Sequence, residues 1–428
     1  MSLPFRRWLP TLPPLLRLFC AAAILLTLVG IVTRFLCANV FHLTSYPYGS
    51  YVTDVDGLDL MTFYPRFKHL HSPEFFSPES GPAYAYPAGV APLYWLLFRV
   101  RYAQIPFVLL GAGITIVFAW FFARALEERG VSRHDARWFV LITGLCSYPF
   151  YFEFARGNVE IFMWMITAGA VYAILKDRVW LGASLLGIAI AMKIYPFVFV
   201  GLLFSRRKYA PIVFSILVAA AYSILSLWIV CPDISIASQG INHGLDSYRV
   251  LYVVPYRPLF SGVDHSLYAL IKRILGARPF DEYVVILKGY MLTTALTGLV
   301  LYFARIRRMP MINQVLCLTI ASILLPPVSF DYTLIHLYVP FVMVAVMLVN
   351  QNRRGQTQTR GVSTMIVCFI VLLSQIGEII LHGDRLGGQI KAVVLLTLFI
   401  LGVVVPFADE FEDVVLPRKS PAHVTLAS

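Results

Sequence analysis

Residues 105–130 read IPFVLLGAGITIVFAWFFARALEERG. Nothing charged occurs before Arg124, and a helix needs roughly 20 such residues to cross a bilayer. Charge then arrives all at once, and the same alternation of apolar run and basic cluster repeats along the chain. Of the 428 residues, 59% are hydrophobic and 14% charged, whereas soluble domains carry roughly 25% charged residues. The sequence therefore predicts an all-α polytopic membrane protein, with residues 1–428 forming one integral domain. A membrane β-barrel is excluded, because its strands would be short and alternating.

The net charge of +12 would suggest a nucleic-acid partner in a soluble protein. Here the basic residues sit in short clusters between apolar runs, such as Arg206/Arg207/Lys208 and Arg305/Arg307/Arg308. That is the pattern of cytoplasmic anchors, and no nucleic acid is expected. Placing every cluster inside gives about 12 transmembrane helices with both chain ends inside. They fall near residues 15–40, 105–125, 136–152, 158–175, 210–231, 284–304, 311–327, 333–350, 361–381 and 389–407. Residues 179–205 supply a hairpin of two short helices that turns near Lys193, because Pro196 disfavours helix before it. The first helix is too long for a signal-peptide core and is read as uncleaved. Two long exterior loops result, 41–104 and 232–283, with 88–100 as an interfacial segment. The six cysteines are scattered, without metal-ligand spacing. No metal and no cofactor are expected.

Ionisable groups at membrane depth are expensive and are functional suspects by default. In this topology they converge on the exterior face. Asp54, Asp56 and Asp59 follow helix 1; Glu153, Arg156 and Asn158 lie between helices 3 and 4; Lys193 stands alone at the hairpin turn. Arg249, Arg257, Asp264 and His265 fall in the second loop, and Asp331 and His336 come later. Cations beside a carboxylate suit a phosphate-bearing, membrane-held substrate: the cations bind phosphate and the carboxylate takes a hydroxyl proton. Arg156, Lys193, Arg257 and His265 are the candidate phosphate ligands. Each residue also has a plain structural reading. Asp59 can cap a helix, Asp54 and Asp56 can be solvated, Arg156 can snorkel to headgroups, and His336 can be a core histidine.

The motifs, in order, resemble those of the family 87 glycosyltransferases of the GT-C class. Leu58-Asp59-Leu60-Met61-Thr62-Phe63-Tyr64 resembles the family's Asp-x-x-x-Tyr-Tyr region, and Ala85-Tyr86-Pro87 its Tyr-Pro-Pro-Phe element. Arg156-Gly157-Asn158 is similar to a Gly-Gln-x-Asn site. Residues 180–196, ending Met192-Lys193-Ile194-Tyr195-Pro196, resemble its Lys-x-Tyr-Pro segment. Pro327-Val328-Ser329-Phe330-Asp331-Tyr332 resembles its Ser-Pro-x-Ser-Trp-Asp segment. Ala88 stands where a second proline is usual, and Tyr332 where histidine is common.

The resemblance implies a GT-C-like bundle that transfers a sugar, mannose by the family's best-known donor, from a polyprenyl-phosphate donor. The acceptor would be a glycolipid or glycan of the cell envelope. Transfer would invert the sugar at the outer face of the bacterial cytoplasmic membrane, in a monomer surrounded by membrane lipids. The catalytic base falls on Asp59. Tyr64, Tyr86, Asn158, Tyr195, Asp331 and Tyr332 become substrate-binding candidates. The alternative is a transporter or flippase of lipid-linked substrates, against which stands the lack of an internal repeat.

Overall fold

The computed structural model describes residues 8–42, 57–100, 102–256, 258, 261–357, 360–374, 380–381 and 384–407. These residues are mostly helical; beside turns and irregular connections they contain a two-residue antiparallel ladder pairing Ile380–Leu381 with Asp384–Arg385 and isolated bridges Ser147–Ser374 and Asp264–Phe330. Six described helices are long and apolar enough to cross a membrane: Pro14–Val40, Gln104–Glu127, Tyr209–Val230, Phe280–Arg308, Asp331–Arg353 and Gly387–Val404. Asp331–Arg353 is the central one, 89% buried, while Tyr209–Val230 and Phe280–Arg308 are each 11% buried. The outward faces carry Leu109, Ile116, Leu217 and Val285. Exposed apolar stripes of this kind are at home in lipid, where a helix gains nothing by hiding leucine.

The remaining apolar helices are shorter, and several mark places where an expected span is broken. The expected helix over 136–152 is two helices, Arg133–Leu145 and Tyr148–Arg156. Pro149 lacks the N–H that would continue the first helix, and Ser147 caps the second by accepting from the Phe150 N–H at 3.2 Å. Val179–Met192 ends where Lys193 turns extended, with φ −149° and ψ 143°, and a 3₁₀ turn over Tyr195–Phe199 follows. The expected span 333–350 opens as a 3₁₀ turn, Asp331–Leu337, before Tyr338–Arg353. Val362–Leu373 stops eight residues short of the expected end at 381.

The two stretches expected as long loops are largely helical in their described parts. Residues 57–97 form short helices, Leu58–Thr62, Tyr64–Phe67 and Ala91–Leu97, joined by 3₁₀ turns. Their rings pack edge to face: Phe67 meets Phe75, Tyr84 and Tyr94 at centroid distances of 5.3, 5.9 and 5.7 Å. The second stretch contains Ile234–Tyr248 and Leu267–Leu275. Lys272 is buried on the latter, donating to the carbonyls of Val253 at 2.8 Å and Pro255 at 2.9 Å. Burial pulls its ammonium down to about 8.

The first stretch is held by Arg66. This buried guanidinium donates to the carbonyls of Phe75, Gly81 and Pro82. Only arginine presents so many donors in a fixed fork. Arg66→Met would leave three carbonyls without that partner, a loss of roughly 3 kcal/mol. The expected outcome is a lower melting temperature of the purified protein and faster proteolysis within residues 57–97. Equal melting would mean that the carbonyls find other donors.

Candidate functional site

Asp59 lies in the first turn of Leu58–Thr62, whose N-cap is Gly57 in the left-handed region (φ 69°). Asp59 therefore does not cap its own helix. The Gly57 N–H donates to the Ala155 carbonyl at 3.2 Å, which docks the start of this helix on the end of Tyr148–Arg156. Gly157 also has positive φ (65°), and a Cβ there would stand 2.9 Å from the Gly57 Cα. Two backbones meet because neither carries a side chain at the contact.

This approach sets Asp59 against the residues on either side of Gly157. Arg156 Nη2 donates to Asp59 Oδ1 at 2.5 Å, and Asn158 Nδ2 donates to Oδ2 at 2.8 Å. The same amide nitrogen lies 3.0 Å from the Tyr86 hydroxyl oxygen, and Asn158 Oδ1 accepts from the Glu160 N–H at 3.2 Å. Burial, then the neighbouring Asp59 charge, pushes the Tyr86 phenol well above its ordinary range, so it stays protonated.

Tyr86 joins this group to a second one. Lys193 Nζ lies 5.6 Å from the Tyr86 ring centroid and 5.3 Å from that of Tyr332. Its ammonium pairs with Glu160, at the start of Glu160–Leu175. Tyr195 donates its hydroxyl to Glu160, and His336 Nε2 lies 2.8 Å from Glu160 Oε1. Glu160 is thus a buried hub for three residues from two distant segments. The side chains of Asp59, Arg156 and Lys193 keep 15%, 12% and 15% of their exposure, whereas Glu160 and His336 keep 0% and 1%. The reachable charges are therefore one carboxylate and two cations.

A third group is closed. Both side chains of Asp331 and His265 are fully buried, with His265 Nδ1 3.2 Å from Asp331 Oδ1. Tyr148 and Lys391 each donate to Asp331 Oδ2 at 2.5 Å. Asp264 beside it accepts from the Ser266 and Ser329 N–H groups, each at 3.0 Å. Burial raises the Asp264 carboxyl and those bonds oppose it, leaving it above its ordinary value.

Of the residues singled out in the sequence, the structure brings together Asp59, Tyr86, Arg156, Asn158, Lys193 and Tyr195, with Tyr332 flanking Lys193. It gathers His265 and Asp331 elsewhere, buried against each other. Tyr64 packs edge-on against Phe98 at 5.2 Å, with Lys68 over its ring. Arg257, Asp54 and Asp56 lie outside the described residues. Sequence reasoning passed over Glu160, Tyr148 and Lys391, and read His336 as a core residue. A signal existed for two of them: Glu160 and Lys391 are each the lone charge of an apolar helix, the same pattern that exposed Lys193.

The model of glycosyltransferase family 87 matches residues 84–244. The family that the sequence motifs resemble is thus the family whose model the chain matches. The matched stretch holds Tyr86, Arg156, Asn158, Glu160, Lys193 and Tyr195; Asp59 and His336 lie outside it. No curated protein and no solved structure matches the chain. The match indicates a glycosyltransferase, and the apolar helices a membrane protein.

The Glu160–Lys193 pair should behave as one unit. Glu160→Gln strands a mostly buried ammonium and is expected to destabilise by about 2 kcal/mol, but less when Lys193→Met is added. Thermal melting of the two single variants and the double variant measures the coupling. Strictly additive losses would mean that the two charges do not depend on each other.

Proposed function

We propose that the chain is a membrane glycosyltransferase that moves a sugar from a polyprenyl-phosphate donor to a hydroxyl of a glycolipid or glycan acceptor. Mannose is the sugar favoured by the resemblance, and the outer face of the cytoplasmic membrane is the favoured side. The observation that carries this reading is the arrangement at Asp59. A reachable carboxylate is held by a guanidinium on one oxygen and an amide on the other, with a second cation one aromatic ring away. A general base and two phosphate ligands are what this transfer needs in one place.

In this mechanism the donor's phosphate is the stronger attraction for both cations. Arg156 turns from Asp59 Oδ1 to the phosphate, and Lys193 shares itself between the phosphate and Glu160. Asp59, still held by Asn158, then accepts the acceptor's hydroxyl proton. The acceptor oxygen bonds to the anomeric carbon from the face opposite the phosphate. The bond from that carbon to the phosphate oxygen breaks, and its electron pair leaves with the lipid phosphate. Configuration inverts. Arg156 and Lys193 stabilise the charge that grows on the leaving oxygen, and Tyr86 and Tyr332 wall the sugar.

Asp59→Asn keeps the size and one acceptor oxygen but removes the base. Transfer from a radiolabelled polyprenyl-phosphate sugar, assayed in membranes, is expected to fall by roughly 10²- to 10⁴-fold. Arg156→Met is expected to raise the donor KM more than it lowers kcat. Undiminished transfer by the Asp59 variant would remove it from the base role. Movement of the intact lipid-linked sugar across vesicles, with no transfer, would favour a flippase instead.

A further inference from the structure

We infer that Lys391 and Asp331 form a positioning strut that holds the proposed site in register from behind; this inference rests on the site proposed above. Asp331 has no oxygen left for a substrate. Its Oδ2 takes hydrogen bonds from Lys391 and Tyr148, its Oδ1 faces His265, and its side chain is fully buried. What Asp331 touches are the elements that carry the site. Tyr148 opens the Tyr148–Arg156 helix, whose far end presents Arg156 to Asp59 and Gly157 to Gly57. Asp331 itself opens the 3₁₀ turn Asp331–Leu337, which presents Tyr332 to Lys193 and His336 to Glu160. A single carboxylate therefore clamps the back of both halves of the site.

Lys391 comes from Gly387–Val404, a helix that contributes nothing else to the site and carries no other charge. Two further contacts fix its approach. Its ammonium stands 4.2 Å from the Tyr148 ring centroid, so it grips the ring and the carboxylate together. Gly388, one turn earlier, lies so close to the chain at Asp264 that a Cβ there would be 2.3 Å from the Asp264 carbonyl oxygen. The helix is thus seated against the 264–266 turn, and that turn places His265 on the other oxygen of Asp331. An ammonium this deep in an apolar helix is unfavourable unless paired. A packing role alone would be met by leucine or methionine. The strut explains why a cation stands there.

The test uses the full chain in lipid nanodiscs, with hydrogen–deuterium exchange of peptides covering 148–158 and 331–337 alongside transfer kinetics. Lys391→Met is expected to speed exchange in both peptides by about tenfold or more. It should lower kcat roughly ten- to a hundredfold with little change in donor KM, because it misaligns the site without touching substrate. Lys391→Arg should stay near wild type in both readouts. Adding Asp331→Asn to Lys391→Met should recover part of the lost kcat, since it removes the stranded charge. Faster exchange confined to the 387–404 helix, or an unchanged kcat, overturns the inference. Should Lys391→Met not fold, Tyr148→Phe, which removes one hydroxyl, carries the same expectation for the 148–158 peptide and for kcat; no change in either overturns it. A wild-type protein without transfer activity counts against the proposed function, and the exchange measurements still decide the strut.

Discussion

Asp59 pairs with Arg156, Glu160 with Lys193 and Asp331 with Lys391, and these three contacts hold the charged centre of an otherwise apolar bundle together. A lone charge removed from water is penalised by several kcal/mol, and in lipid the chain has few ways to hydrate it. Each carboxylate is therefore more stable in the fold when it meets its cation. The partners lie 97, 33 and 60 residues apart in the chain. Satisfying them consequently fixes how remote segments sit, which helix-to-helix packing of leucine and valine alone leaves loosely specified.

The pairs sit at interruptions in the helices, and there is a physical reason for the coincidence. Asp59 and Arg156 meet across Gly57 and Gly157, Lys193 occupies the extended residue after Val179–Met192, and Asp331 begins a 3₁₀ turn ahead of a long helix. Irregular backbone at membrane depth is tolerated only where it is buried in protein or lines a polar cavity. Breaking the helices opens room for side chains to converge from several directions.

Much of this was legible in the sequence, for identifiable reasons. Lys193 stood out because a charge among apolar neighbours demands a partner, and Pro196 announced the break beside it. Asp59 could be separated from Asp54 and Asp56 only through the motif around Phe63 and Tyr64. Glu160 was missed because it directly follows an expected loop, where a carboxylate at a helix start looks ordinary; its burial depends on Lys193, Tyr195 and His336 arriving from elsewhere. Asp331 and His336, five positions apart, do not share a side of their element. In a 3₁₀ turn residues five apart point to different sides, so Asp331 meets Lys391 while His336 meets Glu160. In the first stretch, proline and aromatic residues crowd the short helices of 57–97 and hide them; in the second, Ile234–Tyr248 and Leu267–Leu275 do carry an amphipathic helical pattern.

The pairing also bears on the order of events in the proposed reaction. Before donor arrives, the four central charges cancel: two carboxylates, Asp59 and Glu160, face two cations, Arg156 and Lys193. Asp59 Oδ1 accepts from Arg156 and Oδ2 from Asn158, so both oxygens are engaged while the pair stands. An anionic phosphate changes that balance. Drawing Arg156 away frees Oδ1 at the moment when the leaving phosphate is in place to take up the electron pair of the breaking bond. Within this reading, donor binding and exposure of the base are one event, and an acceptor hydroxyl is activated only where there is a sugar for it to attack.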